Sequence, residues 1–180
     1  MKSFAPILRS FTALALAAGL ASTATAAPKK ILVVTQSKGF MHGSVKRPGP
    51  DQLCLVEQTL EKIGKDTGLF ETVNSQNAIE VLTRENLAKF DGVFFYTTGI
   101  LLPAGDPREA LTDFVKQGKA FIGAHSATDT FHSGKDAFKP YVQMINGAFD
   151  GHPWGSGTTC TFVNHDPAHT TVKMLGEEFQ

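Results

Sequence analysis

A three-layer α/β sandwich around a mostly parallel sheet is the fold class this sequence predicts, and three observations predict it. Short continuous apolar runs recur at residues 31–35, 92–97 and 120–124, the pattern of strands covered on both faces. Stretches with apolar residues at helical spacing separate them. The intervals between the runs are long enough for parallel crossover connections.

The elements follow in order. After Lys29-Lys30, the run Ile31-Leu32-Val33-Val34-Thr35 reads as the first buried strand. Residues 36–50 are polar and rich in Gly and Pro, so they form a long loop. From Asp51 a helix is expected, with Leu53, Val56, Leu60 and Ile63 on one face and Gly64 to end it. Residues 69–73 make a weaker strand, and 83–90 a short helix entered through a Thr83 cap. Gly92-Val93-Phe94-Phe95-Tyr96-Thr97 is the second buried strand. Asp106-Pro107-Arg108-Glu109 opens a helix, with Asp106 as cap, proline in the first turn and Glu109 at the capping-box position. Ala110, Leu111, Phe114 and Val115 face inward, and Gly118 closes the helix. Residues 120–124 are the third buried strand, 138–145 a short helix, and 158–163 a last strand. This alternation is flavodoxin-like.

The amino terminus is read separately. Lys2 and Arg9, the apolar stretch 11–20 and the small-residue site Ala24-Thr25-Ala26 together form a signal-peptide pattern over residues 1–27. The apolar stretch is shorter than the roughly 20 residues of a membrane span, and no cysteine follows it to carry a lipid, so no membrane anchor is expected after cleavage. The expected location is periplasmic or secreted. Lys and Arg number 17, as do Asp and Glu, and no basic run occurs, which argues against nucleic acid as a partner. With 42% hydrophobic and 19% charged residues, the chain is globular. Two cysteines, Cys54 and Cys160, have no zinc-like spacing; export permits a bridge, and two buried thiols are the alternative.

In parallel sheets, ligands bind beyond the carboxyl ends of the strands, where strand order reverses. The first strand is followed by Lys38-Gly39-Phe40-Met41-His42, the second by Thr98-Gly99, and the third runs into His125-Ser126-Ala127-Thr128-Asp129. Adjacency of these strands brings His42, Thr98 and His125 to one crevice. Five of the six histidines (His125, His132, His152, His165 and His169) lie late in the chain; His132 and His165 read as surface residues. Gly123 to Ala127 has the shape of a strand-to-helix elbow with histidine at its tip. Ser126 is one residue late for a nucleophile and reads as a helix cap, with Asp129 three residues on. There is no G-x-x-x-x-G-K-S/T phosphate loop and no H-E-x-x-H zinc helix. A divalent metal held by His125, His152, Asp166 or His169 is chemically reasonable, although no pair has helical ligand spacing.

These segments resemble the trehalose-utilisation (ThuA-like) domain family, a branch of the class I glutamine-amidotransferase-like fold. The resemblance rests on Lys38 to His42, on Asn86-Leu87-Ala88-Lys89-Phe90-Asp91-Gly92, and on Phe114-Val115-Lys116-Gln117-Gly118-Lys119. It rests most of all on Phe121-Ile122-Gly123-Ala124-His125-Ser126-Ala127-Thr128-Asp129-Thr130, followed by Ile145-Asn146-Gly147-Ala148-Phe149-Asp150-Gly151-His152-Pro153. Asp166-Pro167-Ala168-His169 is similar to a later D-x-x-H-P element, with Thr170 in place of proline. Relatives continue beyond the position of Gln180 through an acidic segment and further core, so residues 28–180 are expected to be a domain shortened at its C-terminal end. Glutamine-hydrolysing relatives of the fold carry cysteine at the elbow; His125 stands there instead, which implies that the chain is not a glutamine amidotransferase. The resemblance implies carbohydrate metabolism, on trehalose-like or keto-disaccharides.

Three functions are therefore expected to compete. In an exported sugar-active enzyme, His125 is the general acid/base. His42 and His152 then orient substrate or share a metal, and Asp129 orients His125 or caps the turn. Thr98 and Gly99 contact substrate, and Trp154 stacks on a sugar ring or fills the core edge. The alternatives are a non-catalytic carbohydrate-binding module and a metal-dependent hydrolase. Oligomeric state is not readable from the sequence.

Overall fold

The computed structural model describes residues 26–134 and 136–180. The expected leader lies outside them apart from Ala26 and Ala27. β1 (Lys29–Val34) carries the first apolar run, and Leu32, Val33 and Val34 are fully buried. It pairs in parallel with β2 (Phe70–Ser75) on one side and β3 (Gly92–Phe95) on the other. β4 (Ala120–Gly123) pairs in parallel with β3. The sheet order is β2-β1-β3-β4, the start of the flavodoxin-like order, with its reversal between β1 and β3.

The third run departs from expectation. It is not buried on both faces: β4 is the edge of the sheet, and Ile122 is 48% exposed. Apolar composition reports that a strand can be covered, not that a neighbour covers it. The last strand also differs. It shortens to β5 (Phe162–Val163), which pairs antiparallel with β6 (Glu178–Phe179) in a separate two-stranded sheet.

Among the helices, α1 (Leu55–Thr67) begins later than Asp51, with Cys54 as its cap. The Cys54 side chain accepts from the Glu57 backbone N–H while the Glu57 carboxylate accepts from the Cys54 N–H. Gly64 does not end it; Gly68 does, in the left-handed region at φ 66°. Gly64 sits inside the helix because a Cβ there would meet the Phe70 carbonyl oxygen at 2.4 Å, so glycine permits α1 to lie close against β2. The short α2 (Ala78–Val81) has no clear sequence signal, whereas α3 (Arg84–Leu87) has the expected Thr83 cap, accepting from the Asn86 N–H. α4 (Asp106–Lys116) keeps Pro107 in its first turn. Its cap is Gly105, so Asp106 and Glu109 form no capping box; the Asp106 carboxylate pairs with Arg84 instead. α5 (Lys139–Ile145) follows the expected span and ends at Asn146, φ 58°.

The core lies between the sheet and these helices and joins Leu32, Val34, Val93, Phe95, Leu111, Phe131 and Tyr141. Fully burying side chains of this size contributes about 1.5–3 kcal/mol each. Tyr141 donates its hydroxyl to the Ala127 carbonyl at 2.9 Å, pinning α5 beneath the turn that follows β4, and burial pushes its phenol well up. Cys54 is buried and Cys160 half-buried, and both are free thiols. Among the described residues no helix is long and apolar enough to cross a membrane.

Candidate functional site

Three chain segments leave the carboxyl ends of β1, β3 and β4 side by side, and they are stitched together below the surface. The Lys38 N–H donates to the Thr98 carbonyl at 2.9 Å. The Thr98 hydroxyl accepts from the Gly39 N–H and donates to the Phe40 carbonyl. The Gly99 N–H donates to the Asp129 carbonyl at 2.9 Å, and the Phe131 N–H returns to the Gly99 carbonyl. Thr98 is buried, and Gly99 presses its backbone against Gly39. Both residues therefore brace the site from beneath rather than line the crevice.

Above this brace, His42 Nε2 and His125 Nε2 stand 3.0 Å apart. A parallel order that places β4 beside β3 brings together two residues 83 positions apart in the chain. His42 precedes a 3-10 turn, Gly43–Val45, and His125 opens another, His125–Asp129. His125 has φ 48°, a left-handed backbone uncommon outside glycine and concentrated at functional sites. The rings meet edge to face, with centroids 4.6 Å apart. In such a contact one ring donates its N–H and the other accepts, so the pair holds one proton between its two nitrogens. Burial first, and the neighbouring His125 ring second, hold His42 below the ordinary imidazole value, with Asp129 opposing and His152 reinforcing the shift.

The pair opens into a crevice of about 390 Å³, at the small end of ligand-site volumes. Phe40, 71% exposed, forms one wall beside His42. Phe149 and His152 form another, brought back to the crevice by the Phe149 N–H bond to the Thr128 carbonyl. Ser126, Thr128 and Asp129 line the floor, and the Ser126 hydroxyl is buried with no partner among the described residues. Ser126 does not cap the turn; Ala124 holds that position, and no side-chain cap bond is made. Asp129 is the last residue of the turn, and its carboxylate lies 3.4 Å from His132 Nδ1. It thus neither caps the turn nor bonds to His125.

His42, His125, His152 and Asp129 line one crevice, whereas Trp154 lies on the surface, 64% exposed and outside the lining. Asp166 and His169 are exposed, and His169 Nδ1 bonds to the Thr171 hydroxyl. Among the described residues no group of three or more His, Cys, Asp or Glu is placed to hold a metal, so the four metal candidates do not form one set. Two further neighbours, Phe40 and Tyr96, complete the surroundings of the pair. In the sequence Phe40 stands within the Lys38–His42 motif, and Tyr96 reads as part of a buried strand. Tyr96 sits beneath both imidazoles, its ring 5.7 Å from His42 and 5.2 Å from His125. Its signal is position alone: it is the first residue beyond β3.

A protein-family model described as ThuA, trehalose utilisation, matches residues 30–180. Among solved structures, the chain is similar to the crystal structure of a ThuA-like protein from Bacteroides uniformis, with a TM-score of 0.64 and 16% sequence identity. That alignment covers 89% of this chain and 61% of the other, so the chain spans less than two thirds of that protein's length. At this identity the likeness shows the fold. No curated protein matches the chain.

Proposed function

The chain belongs to the ThuA trehalose-utilisation family, and from that premise we propose that its crevice binds a trehalose-like or keto-disaccharide and performs acid/base chemistry on it. The observation that carries this reading is the 3.0 Å contact between His42 and His125 at the mouth of the crevice. An imidazole titrates near neutral pH, so it can both take and return a proton under ordinary conditions. His42, held below the ordinary value, stays neutral and accepts a hydrogen bond from His125 when that ring is charged. A proton taken from a sugar hydroxyl, or from a carbon beside a keto group, is then held on His125 and returned to the product.

The walls suit the same substrate class. Phe40 and Phe149 offer apolar faces for a sugar ring, while Asp129, Thr128 and His152 offer hydrogen-bond partners to hydroxyls. The test is a turnover screen of disaccharides and their 3-keto forms with the full chain, with and without added divalent metal. Turnover that survives chelation supports the reading. Sugar binding with no turnover of any substrate replaces it with a binding module.

We further propose export to the periplasm or medium, supported by the leader pattern over residues 1–27. N-terminal sequencing of exported material should begin within about two residues of Ala27. Intact Met1 in a cytoplasmic fraction contradicts export.

A further inference from the structure

We propose that Tyr96 is the positioning residue of the imidazole pair, setting the spacing of His42 and His125 through its ring and through a hydroxyl bond to the turn that follows His42. The inference rests on the acid/base reading of the same crevice. The backbones that carry the two histidines are braced, but among the described residues the only hydrogen bond made by either imidazole is the one to the other. His42 stands in the long loop after β1, and its Nδ1 is buried with no partner among the described residues. His125 stands in a turn with a left-handed backbone, and among the described residues no carboxylate bonds to it. The second ring nitrogen of a functional imidazole is often held by a carboxylate or carbonyl; on His42 no described residue supplies one.

Tyr96 supplies the missing support. Its backbone N–H donates to the Val34 carbonyl at 3.0 Å, so its root is fixed to the sheet, where side chains are held more precisely than on loops. Its ring lies tilted against both imidazoles at once. Its hydroxyl accepts from the Ser44 hydroxyl at 3.1 Å, and Ser44 is the middle residue of the Gly43–Val45 turn that His42 precedes. One side chain on the sheet thus touches both histidines and holds the turn beside one of them.

Imidazole titration by NMR in the full chain tests this, because the effect of one ring on the other depends on their separation. In the unaltered protein, burial and then the neighbouring His125 ring hold His42 below its ordinary value. Tyr96→Phe and Ser44→Ala each remove the same hydroxyl bond. Each should move the His42 midpoint upward and weaken the coupling, and the double variant should move it no further than either alone. Tyr96→Leu, which also removes the ring, should move it more. Asp129 and His152, the other groups acting on His42, are unchanged throughout and do not account for a shift. Where a substrate is turned over, the two single variants should lose at least about tenfold in kcat with KM unchanged, given that a misplacement of about 1 Å costs about a hundredfold. Unaltered His42 midpoints in folded Tyr96→Phe and Ser44→Ala proteins, or shifts that simply add in the double variant, overturn the proposal. The titration reads positioning whether or not a sugar is turned over, so its failure is distinguishable from failure of the enzymatic reading.

Discussion

His125 and Gly99 show how single residues set the site. Both have positive φ, 48° and 76°, and both lie in the loops that leave the carboxyl ends of β4 and β3. For Gly99 the reason is visible: a Cβ would meet the Gly39 nitrogen at 2.7 Å and the Lys38 carbonyl carbon at 2.9 Å. Gly99→Ala should therefore cost about 1–3 kcal/mol of stability, from left-handed strain and backbone contact together. It should also push away the loop that carries His42, so the His42–His125 coupling should weaken in an NMR titration. A variant with unaltered melting and coupling contradicts this account of the brace. His125 was legible in the sequence because a polar ring directly after an apolar run falls at the ligand-binding edge of a parallel sheet, and His42 through the expected adjacency of the first strand. Thr98 and Gly99 occupy the same kind of position and were read the same way. What separates them is hydrogen bonding between loops far apart in sequence, which spacing does not report. Tyr96 was missed for the opposite reason: an aromatic residue ending an apolar strand reads as core.

At the scale of elements, the loop from β1 to α1 is held by a buried carboxylate. Glu57, with no exposed surface, accepts from the Thr35 hydroxyl at 2.6 Å, from two nitrogens of Arg47, and from the Cys54 N–H. Arg47 lies in the loop, so this network ties the segment bearing His42 to the end of β1 and to the start of α1. Burial raises the Glu57 carboxyl, but the bonds from Arg47, Thr35 and Cys54 outweigh burial and hold it below its ordinary value of 4.5. The unfolded chain then binds the proton more readily. Stability from Glu57 is fully present above about pH 4.5 and is lost as pH falls through the lower folded value. Glu57→Gln should cost on the order of 3 kcal/mol, because it leaves Arg47 without its charge partner. It should also flatten the acid limb of a plot of melting temperature against pH. An unchanged acid limb contradicts the assignment. The sequence showed α1 through its apolar spacing but not this network, since a lone Glu in a helix reads as solvated surface. β1 and β3 were legible because continuous apolar runs and central position coincide in them. β4 has the same composition at the edge, and only pairing distinguishes the two cases.

Across the whole molecule, burial is uneven. Fully buried residues run from Leu32 to Tyr141, and no described residue after Tyr141 is buried. The last segment is held instead by local contacts. Asn164 donates to the Val172 and Gly176 carbonyls, and Phe162 stacks on Phe179 at 5.2 Å. Segments with few buried apolar contacts open locally at lower free energy than the core. Backbone amides of residues 160–180 should therefore exchange with solvent far faster than those of β1 and β3, at free energies well below global unfolding. Protection of the Asn164 amide equal to that of Tyr96 contradicts this division. Much of the crevice lies on the stable side of it: His42, Tyr96 and His125 follow β1, β3 and β4, while only the Phe149–His152 wall comes after the last buried residue.

Acid/base chemistry by His125 on a carbohydrate is tested most directly by His125→Gln. Glutamine keeps polarity and approximate size but does not titrate near neutral pH. The measurement is kcat on whichever disaccharide or 3-keto form the unaltered protein turns over, taken together with melting temperature. kcat should fall by at least about a hundredfold, within the roughly 10²–10⁴ range of general acid/base catalysis, in a protein that melts like its parent. Unchanged turnover in a well-folded His125→Gln protein contradicts it.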